Sequence, residues 1–140
     1  MGHAMTMLLQ IHPDSPVPIY EQIVNQVVFA VASGALEPGT MIPSVRELGP
    51  QLLVHPNTVA RAFQELERLQ VLSARRGRGM EVTAEAPAVC RAQRQEIVRG
   101  RIREALREAV SSALSPEEIS RLVSEELARA NGQRKSREKR

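Results

Sequence analysis

The sequence predicts a mostly α fold of the α+β class: a helical N-terminal domain that ends in a β-hairpin, followed by two further helices. Two observations support this prediction. Apolar residues recur at helical spacing in four separate stretches, as in helices that bury one face. Between the second and third of these stretches, short apolar runs flank a glycine-containing loop, which is typical of a hairpin.

Length and composition limit the classes of function. A chain of 140 residues has room for one domain of about 100 residues and little more, so a large catalytic domain does not fit. The core must be aliphatic, because the chain has one tyrosine, two phenylalanines and no tryptophan. One cysteine allows no internal disulfide, and neither a signal peptide nor an apolar run of about 20 residues stands out. We therefore expect a reduced, cytoplasmic protein without a membrane span.

The net charge of +3 suggests a nucleic-acid partner, but it is unevenly distributed. Residues 1–84 carry 6 basic and 7 acidic side chains, residues 85–132 carry 8 of each, and residues 133–140 carry 5 basic and 1 acidic. Binding to DNA would therefore depend on where individual arginines lie rather than on the total charge. Residues 133–140 are expected to form a disordered basic tail, which either touches DNA phosphates or is simply solvated.

The first 14 residues are expected to form an N-terminal arm that could include a cloning remnant. Pro18 suits the first turn of a helix, and Gly34 is placed to end it. Between them runs one apolar stripe, formed by Tyr20, Ile23, Val24, Val27, Val28 and Val31. Met41 and Ile42 could form a short strand after this helix.

A capped helix, a turn and a second helix come next. Ser44 and Glu47 match a capping box. In this motif the serine oxygen and the glutamate carboxylate each accept a hydrogen bond from the backbone N–H of the other residue. The helix should run to about Leu53, with Pro50 bending or shortening it, because proline removes a helical hydrogen bond. Pro56 suits the first position of the second helix. That helix has a predicted buried stripe, Val59, Ala62, Phe63, Leu66 and Leu69, and a free N-terminal edge, Asn57, Thr58, Arg61 and Gln64.

Residues 71–82 predict two short strands around a loop that carries Arg75, Arg76 and Arg78. Arginine can enter a narrow minor groove, and glycine lets backbone approach a phosphate closely. The alternative interpretation is a solvated basic turn. Taken together, these elements follow the order of a winged helix-turn-helix over residues 15–84, in which the second helix enters a DNA major groove.

Residues 84–88, which include Pro87, are expected to form a linker. Residues 88–132 predict two more amphipathic helices, the second opened by Ser115 and Glu118 in another capping box and ended at Asn131–Gly132. The apolar stripe of the first contains Val98, Ile102, Leu106 and Val110, and that of the second contains Ile119, Leu122, Val123 and Leu127. Two helices cannot bury both stripes well by themselves. The spare apolar surface is therefore expected to meet the first helix of the chain or a second chain, and we favour a homodimer.

No residue pattern typical of an enzyme stands out. His3, His12 and His55 lack a spacing that would bring metal ligands together, and no nucleophile, paired-carboxylate or phosphate-loop pattern is present. We therefore expect no metal, no cofactor and no catalytic activity. Cys90, near a predicted helix start, could have a lowered pKa or could be an inert thiol.

Four blocks of this sequence resemble the GntR family of bacterial transcription regulators: residues 18–23, 34–48, 57–67 and 76–79. Their occurrence in one register over about residues 16–82 makes the resemblance specific. The short two-helix C-terminal segment and the run from His55 to Thr58 are similar to the YtrA subfamily. That similarity implies dimerisation through the C-terminal helices and, often, control of transport genes.

The resemblance implies roles for individual residues. Arg46 would contact DNA, Thr58 would reach backbone or bases, and Gly77 would lie at the tip of the wing. Pro56 and Ala60 stand where many relatives have arginine, so the base contacts at those positions do not transfer. The resulting set of candidate DNA-binding residues is Ser44, Arg46, His55, Asn57, Thr58, Arg61, Gln64, Arg75, Arg76, Gly77 and Arg78.

Two further departures concern the turn of the helix-turn-helix. Members of the family more often have an alanine in the segment that Gly49, Pro50 and Gln51 occupy here. They usually have a glycine immediately before the valine of the turn, Val54, where this chain has Leu53. Together with Pro50, these departures predict an angle between the two helices that differs from that of relatives.

The implied function is sequence-specific binding to double-stranded DNA by a homodimeric repressor on a pseudo-palindromic operator, with an unidentified small molecule as a candidate effector. Asn57 could pair with adenine and Arg61 with guanine. His55 could cap its helix, contact a phosphate or do neither. The alternative from another class is a winged-helix module that binds proteins instead of DNA.

Overall fold

A computed structural model of the chain describes residues 9–77 and 79–139. It comprises two compact units, one up to Ile97 and one from Val98 onward. The elements in chain order are α1 (Ile19–Ala32), β1 (Met41–Ile42), α2 (Val45–Leu52), α3 (Pro56–Arg68), β2 (Leu72–Arg75), β3 (Gly79–Val82), α4 (Ala86–Ser111) and α5 (Pro116–Glu138). The predicted mostly helical α+β fold is confirmed.

The core of the first unit forms where α1 packs against α3. The apolar stripes of both helices are buried, with Ile23 of α1 and Val59 and Leu66 of α3 fully inaccessible to solvent. Burying an aliphatic side chain of this size contributes about 1.5–3 kcal/mol relative to leaving it exposed. This packing fixes one face of α3 and leaves the opposite face to solvent.

The sheet places a β-hairpin beside the helix-turn-helix. Its three strands are antiparallel in the order β1-β3-β2. Ile42 pairs with Met80 at one edge, and Arg75 pairs with Gly79 at the end of the hairpin. The predicted short strand and hairpin are therefore confirmed, and Arg76 and Gly77 lie in the turn at the tip of the wing.

The serine half of the capping box predicted for α2 is present, and the Glu47 carboxylate contacts the Ser44 hydroxyl. The Ser44 hydroxyl oxygen accepts a hydrogen bond from the Glu47 N–H at 3.2 Å and donates one to the Glu47 carboxylate at 3.2 Å. Pro50 lies inside α2, and the helix ends two residues later at Leu52, one residue before the expected end. Because Pro50 has no backbone N–H, α2 lacks one hydrogen bond, the one that this N–H would donate to the carbonyl of Arg46.

The turn between α2 and α3 keeps a geometry suited to glycine although a leucine occupies it. Leu53 has φ 56° and ψ 42°, in the left-handed region, and its side chain is 93% exposed. Its N–H donates to the Pro50 carbonyl at 3.3 Å, and the Val54 N–H donates to the Gly49 carbonyl at 2.9 Å. These two bonds form a Schellman motif, which ends the helix in the left-handed conformation. The leucine therefore adds backbone strain without gaining burial.

Gly49 has a separate role in this turn. A Cβ added at this position would lie 3.1 Å from the carbonyl oxygen of Val54, closer than most carbon–oxygen contacts. The absence of a side chain therefore allows the turn to fold back closely on α2. Close packing within the turn thus explains why this chain has glycine at position 49, in a segment where relatives more often have alanine.

Two glutamines of α1 hold the N-terminal arm. The Gln22 side chain, which is buried, donates from Nε2 to the carbonyls of His12 and Val17 at 2.9 and 2.8 Å and accepts from the His12 N–H at 2.8 Å. Gln26 accepts from the Gln10 N–H and donates to the Gln10 carbonyl, both at 2.6 Å. The side-chain amides thus bind the arm much as a neighbouring strand would. Sequence reasoning missed this role.

The start of α4 corrects the predicted linker. The helix begins at Ala86 and includes Pro87, although residues 84–88 were expected to be a connecting loop. Ala86 and Cys90 are fully buried within the first unit. Proline is compatible with a helix start because its missing N–H has no partner there anyway. The first turns of α4 therefore belong to the core rather than to a linker.

The predictions of a helix end at Asn131–Gly132 and of a disordered tail from Gln133 are wrong, since α5 continues to Glu138. Arg134 donates to the carboxylate of Glu138 at 3.2 Å, and Lys135 and Arg137 lie in the last turn. Pairs of opposite charge four residues apart and cations near a helix C-terminus both stabilise helices. These contributions offset the cost of Gly132, which now lies inside α5, where a glycine destabilises a helix by about 1 kcal/mol relative to alanine.

We predict that Leu53→Gly raises the free energy of unfolding by about 1 kcal/mol, because glycine adopts the left-handed region without the steric cost of a side chain. Urea unfolding followed by circular dichroism measures the change. The matched control is Gln64→Gly, an exposed interior position of α3, which should lower the same quantity by about 1 kcal/mol. A Leu53→Gly protein no more stable than its parent would contradict the assignment of strain to this turn.

Candidate nucleic-acid interface

The exposed edge of α3 is one continuous line of polar side chains. Asn57, Arg61, Gln64 and Arg68 follow each other at helical spacing, and all four are exposed. Thr58 lies beside this line and is half-buried. The structure thus brings together three of the four residues predicted at the free edge, with the fourth partly covered.

His55 caps the start of α3. Its Nδ1 atom accepts a hydrogen bond from the Asn57 N–H at 3.1 Å. Because Nδ1 is the acceptor, the neutral ring carries its proton on Nε2. Of the two roles predicted for His55, helix cap and phosphate contact, the structure shows the helix cap.

Arg46 is exposed in the first turn of α2, about two turns before the helix-turn-helix bend. The preceding Ser44 is exposed too, but its hydroxyl is bonded to the backbone and carboxylate of Glu47. Ser44 therefore fixes the position of the first turn of α2. Its contact with DNA stays a prediction.

Two arginines near the interface are paired with carboxylates. Arg68 donates from Nε to Glu65 at 3.0 Å, and this hydrogen bond, with a smaller contribution from the charge of Arg61, lowers the pKa of the Glu65 carboxyl. Arg75, a predicted DNA contact, forms an ion pair with Glu81 across the hairpin. Within residues 9–77 and 79–139, the arginines of this region that form no ion pair are Arg46, Arg61 and Arg76.

Arg61 makes a different contact. The central carbon of its guanidinium lies 3.8 Å from the centroid of the Tyr20 ring, so the cation sits against an aromatic face. Tyr20 is half-buried in the first turn of α1. Sequence reasoning placed Tyr20 only on the buried stripe of α1. No sequence signal could have revealed the pair, because the two residues meet only through the packing of α1 on α3.

The wing ends in an exposed basic loop. Gly77 has φ 77°, and a Cβ added there would meet nothing within 4 Å, so the backbone conformation rather than crowding requires glycine. Arg76 beside it is exposed. Arg78, the remaining predicted wing contact, lies outside the described residues.

Cys90 is fully buried, and desolvation raises the pKa of its thiol to about 11. The thiol therefore stays protonated near neutral pH, which agrees with an inert cysteine. In the part of the chain that the structure describes, no group of three His, Cys, Asp or Glu side chains could hold a metal ion. Nor does any helix there have the length and apolarity needed to cross a membrane.

The apolar stripes of the second unit are exposed. On α4, Val98, Ile102, Leu106 and Val110 all face solvent, with Val110 65% exposed. On α5, Leu122, Val123 and Leu127 are exposed and Ile119 is half-buried. Among the described residues, α4 and α5 make few contacts with each other. The residues predicted for dimerisation thus form two largely uncovered apolar faces.

The capped α2, the tight turn, the exposed polar edge of α3 and the basic hairpin define a winged helix-turn-helix protein. The sequence profile of the bacterial regulatory proteins of the gntR family matches residues 19–82. The HTH-type transcriptional repressor YtrA of Bacillus subtilis is 43% identical over 79 residues, which cover 56% of this chain and 61% of that protein.

Solved structures agree with this match. A transcriptional regulator from Oenococcus oeni superposes with a TM-score of 0.66 and 29% identity, covering 84% of this chain and 97% of that one. YtrA from Sulfolobus acidocaldarius, a GntR-family transcription factor, gives a TM-score of 0.55 and 31% identity over 71% of this chain and 97% of that one.

The chain belongs to the GntR family, and the resemblance inferred from its four sequence blocks, with its similarity to YtrA, is confirmed. These relatives are regulators of transcription, not enzymes. The chain spans about 60% of the length of the Bacillus repressor.

Proposed function

We propose that this protein is a DNA-binding transcriptional repressor that acts as a homodimer on a pseudo-palindromic operator. Each α3 would enter a major groove, with Asn57 and Arg61 directed at base edges. Arg46 at the start of α2 and Arg76 in the wing would contact the adjacent phosphates, where arginine is an effective partner.

The distribution of arginines is the observation that supports this proposal most. Although residues 1–84 have no net positive charge, every arginine described between residues 9 and 84 lies on α2, α3 or the hairpin. These are the three elements that a winged helix-turn-helix presents to DNA. A module that binds other proteins has no need to collect its cations there.

This surface could bind DNA without first breaking ion pairs of its central arginines. Arg46, Arg61 and Arg76 form no ion pair among the described residues, so a phosphate or base would not have to displace a carboxylate. Arg75 is bonded to Glu81, yet its side chain remains 60% exposed, so that it can share a phosphate.

The repressor role and the targets rest on the relatives. The Bacillus subtilis YtrA protein is named a transcriptional repressor. We propose transport genes as this protein's targets, as the resemblance to the YtrA subfamily implies, and release from DNA by an effector or a competing signal.

The homodimer is supported by the apolar faces of α4 and α5. Ile102 and Val110 on α4 and Leu127 on α5 are all more than half exposed. Monomeric proteins rarely leave contiguous apolar surface of this kind uncovered. A second copy offers the same faces and would also supply the second α3 that a pseudo-palindromic site requires.

We predict different effects for two arginines. Arg61→Ala should relax the base preference at one position of each half-site, because a bidentate contact to guanine is worth about 1–3 kcal/mol of discrimination. Arg46→Ala should weaken binding to all sequences alike and reduce the slope of log affinity against log salt by about 1. Fluorescence anisotropy with a set of operator variants measures both quantities.

Arg91→Ala is the control for both variants, because Arg91 is exposed on α4, outside the three elements proposed to contact DNA. It should change affinity and base preference much less. If binding hardly depends on salt, the protein is not held by phosphates, and the protein-binding alternative replaces the proposal.

The dimer has its own test. The double variant Ile102→Glu with Val110→Glu places two like charges on the exposed stripe of α4. This variant should sediment as a monomer. Its affinity for a DNA duplex with one half-site should equal its affinity for a duplex with two half-sites. Glu108→Lys, on the opposite side of α4, is the control and should leave the dimer intact. A dimer that survives the double variant would move the interface away from this stripe.

A further inference from the structure

We infer that Tyr20 is a positioning residue for base recognition, which holds the Arg61 guanidinium in the orientation that reads a base. The inference rests on the proposed function, because it assigns to a residue of α1 a share in the specificity of α3. The observation behind it is the contact between the guanidinium and the tyrosine ring at 3.8 Å.

A guanidinium that lies against an aromatic ring keeps its recognition edge. Its five N–H groups lie in the plane of the cation, whereas the ring covers one face of that plane. Arg61 can therefore remain against Tyr20 while its edge donates two hydrogen bonds to a guanine. The stack and the base contact do not compete for the same atoms.

The alternative partner for Arg61 on its own helix is already engaged. Glu65 is one turn further along α3, the spacing at which arginine and glutamate often pair. Its carboxylate instead accepts a hydrogen bond from Arg68 at 3.0 Å. Within the described residues, Tyr20 is therefore the group against which the Arg61 side chain rests.

Tyr20 is itself well placed to act as a fixed platform. It is half-buried, packs against the core, and lies in the first turn of α1, which packs on α3. The chain just before this turn is anchored, since Gln22 donates to the carbonyl of Val17 at 2.8 Å. A long arginine side chain that is already ordered loses less conformational freedom when it binds, so preorganisation increases its discrimination.

The experiment compares the base preferences that the 140-residue protein and its variants show when they select from a random pool of DNA duplexes. Tyr20→Leu removes the aromatic face, Tyr20→Phe keeps it, and both are combined with Arg61→Ala. Tyr20→Leu should lower the preference at the position that depends on Arg61 by about two- to fivefold, the range of an exposed cation–π contact. Tyr20→Phe should keep that preference, and Tyr20→Leu should change nothing further when Arg61 is absent.

Several results would overturn the inference. One is a Tyr20→Leu protein that keeps the full preference, and another is a loss of affinity that is equal for all sequences, which would indicate a structural role. If Arg61→Ala leaves every preference unchanged, Arg61 reads no base and the inference falls, while selective binding by the parent protein still supports the proposed function. A parent protein that selects no sequence would remove both.

A second measurement needs no substitution at Tyr20, which guards against a leucine variant that does not fold. In the free protein, the Nε–Hε group of Arg61 should give an NMR signal shifted by the ring current and ordered on the nanosecond timescale. The control is the corresponding signal of Arg76, which is exposed at the wing tip. An Arg61 signal as mobile and unshifted as that of Arg76 would contradict the inference.

Discussion

The packing of α3 against α1 is the interaction on which the rest of the first unit depends. It buries Val59, Ala62 and Leu66 of α3 completely and so determines which edge of that helix faces outward. The same packing brings Tyr20 of α1 against Arg61 of α3. A core built from aliphatic side chains therefore does more than stabilise the domain, because it also sets the orientation of the polar edge that we propose to read DNA.

The turn before α3 shows how this geometry is kept at a cost. A leucine occupies a left-handed position that suits glycine, and it gains no burial in return. Two backbone hydrogen bonds to the end of α2 nevertheless hold the turn, and Gly49 provides the space for it. The strain at Leu53 is tolerated because the caps at Ser44 and His55 fix the starts of both helices.

Much of this structure could be predicted from sequence, since apolar spacing and capping residues act locally. The stripes of α1 and α3, the cap at Ser44 and the hairpin all follow such local rules. The contacts of Gln22 with the arm and of Tyr20 with Arg61 could not be predicted, because they arise only when distant segments pack. The helical tail was missed because its composition suggested disorder, whereas its charge spacing favours a helix.

The central claim is that two copies of α3 read two related half-sites through their exposed edge. The most direct test is to select bound sequences from a random pool of DNA duplexes with the unaltered protein. The account predicts an enriched pair of inverted half-sites whose centres lie one helical turn apart, about 10 base pairs, or a multiple of it. Enrichment of a single unrepeated motif, or of no motif at all, would contradict it.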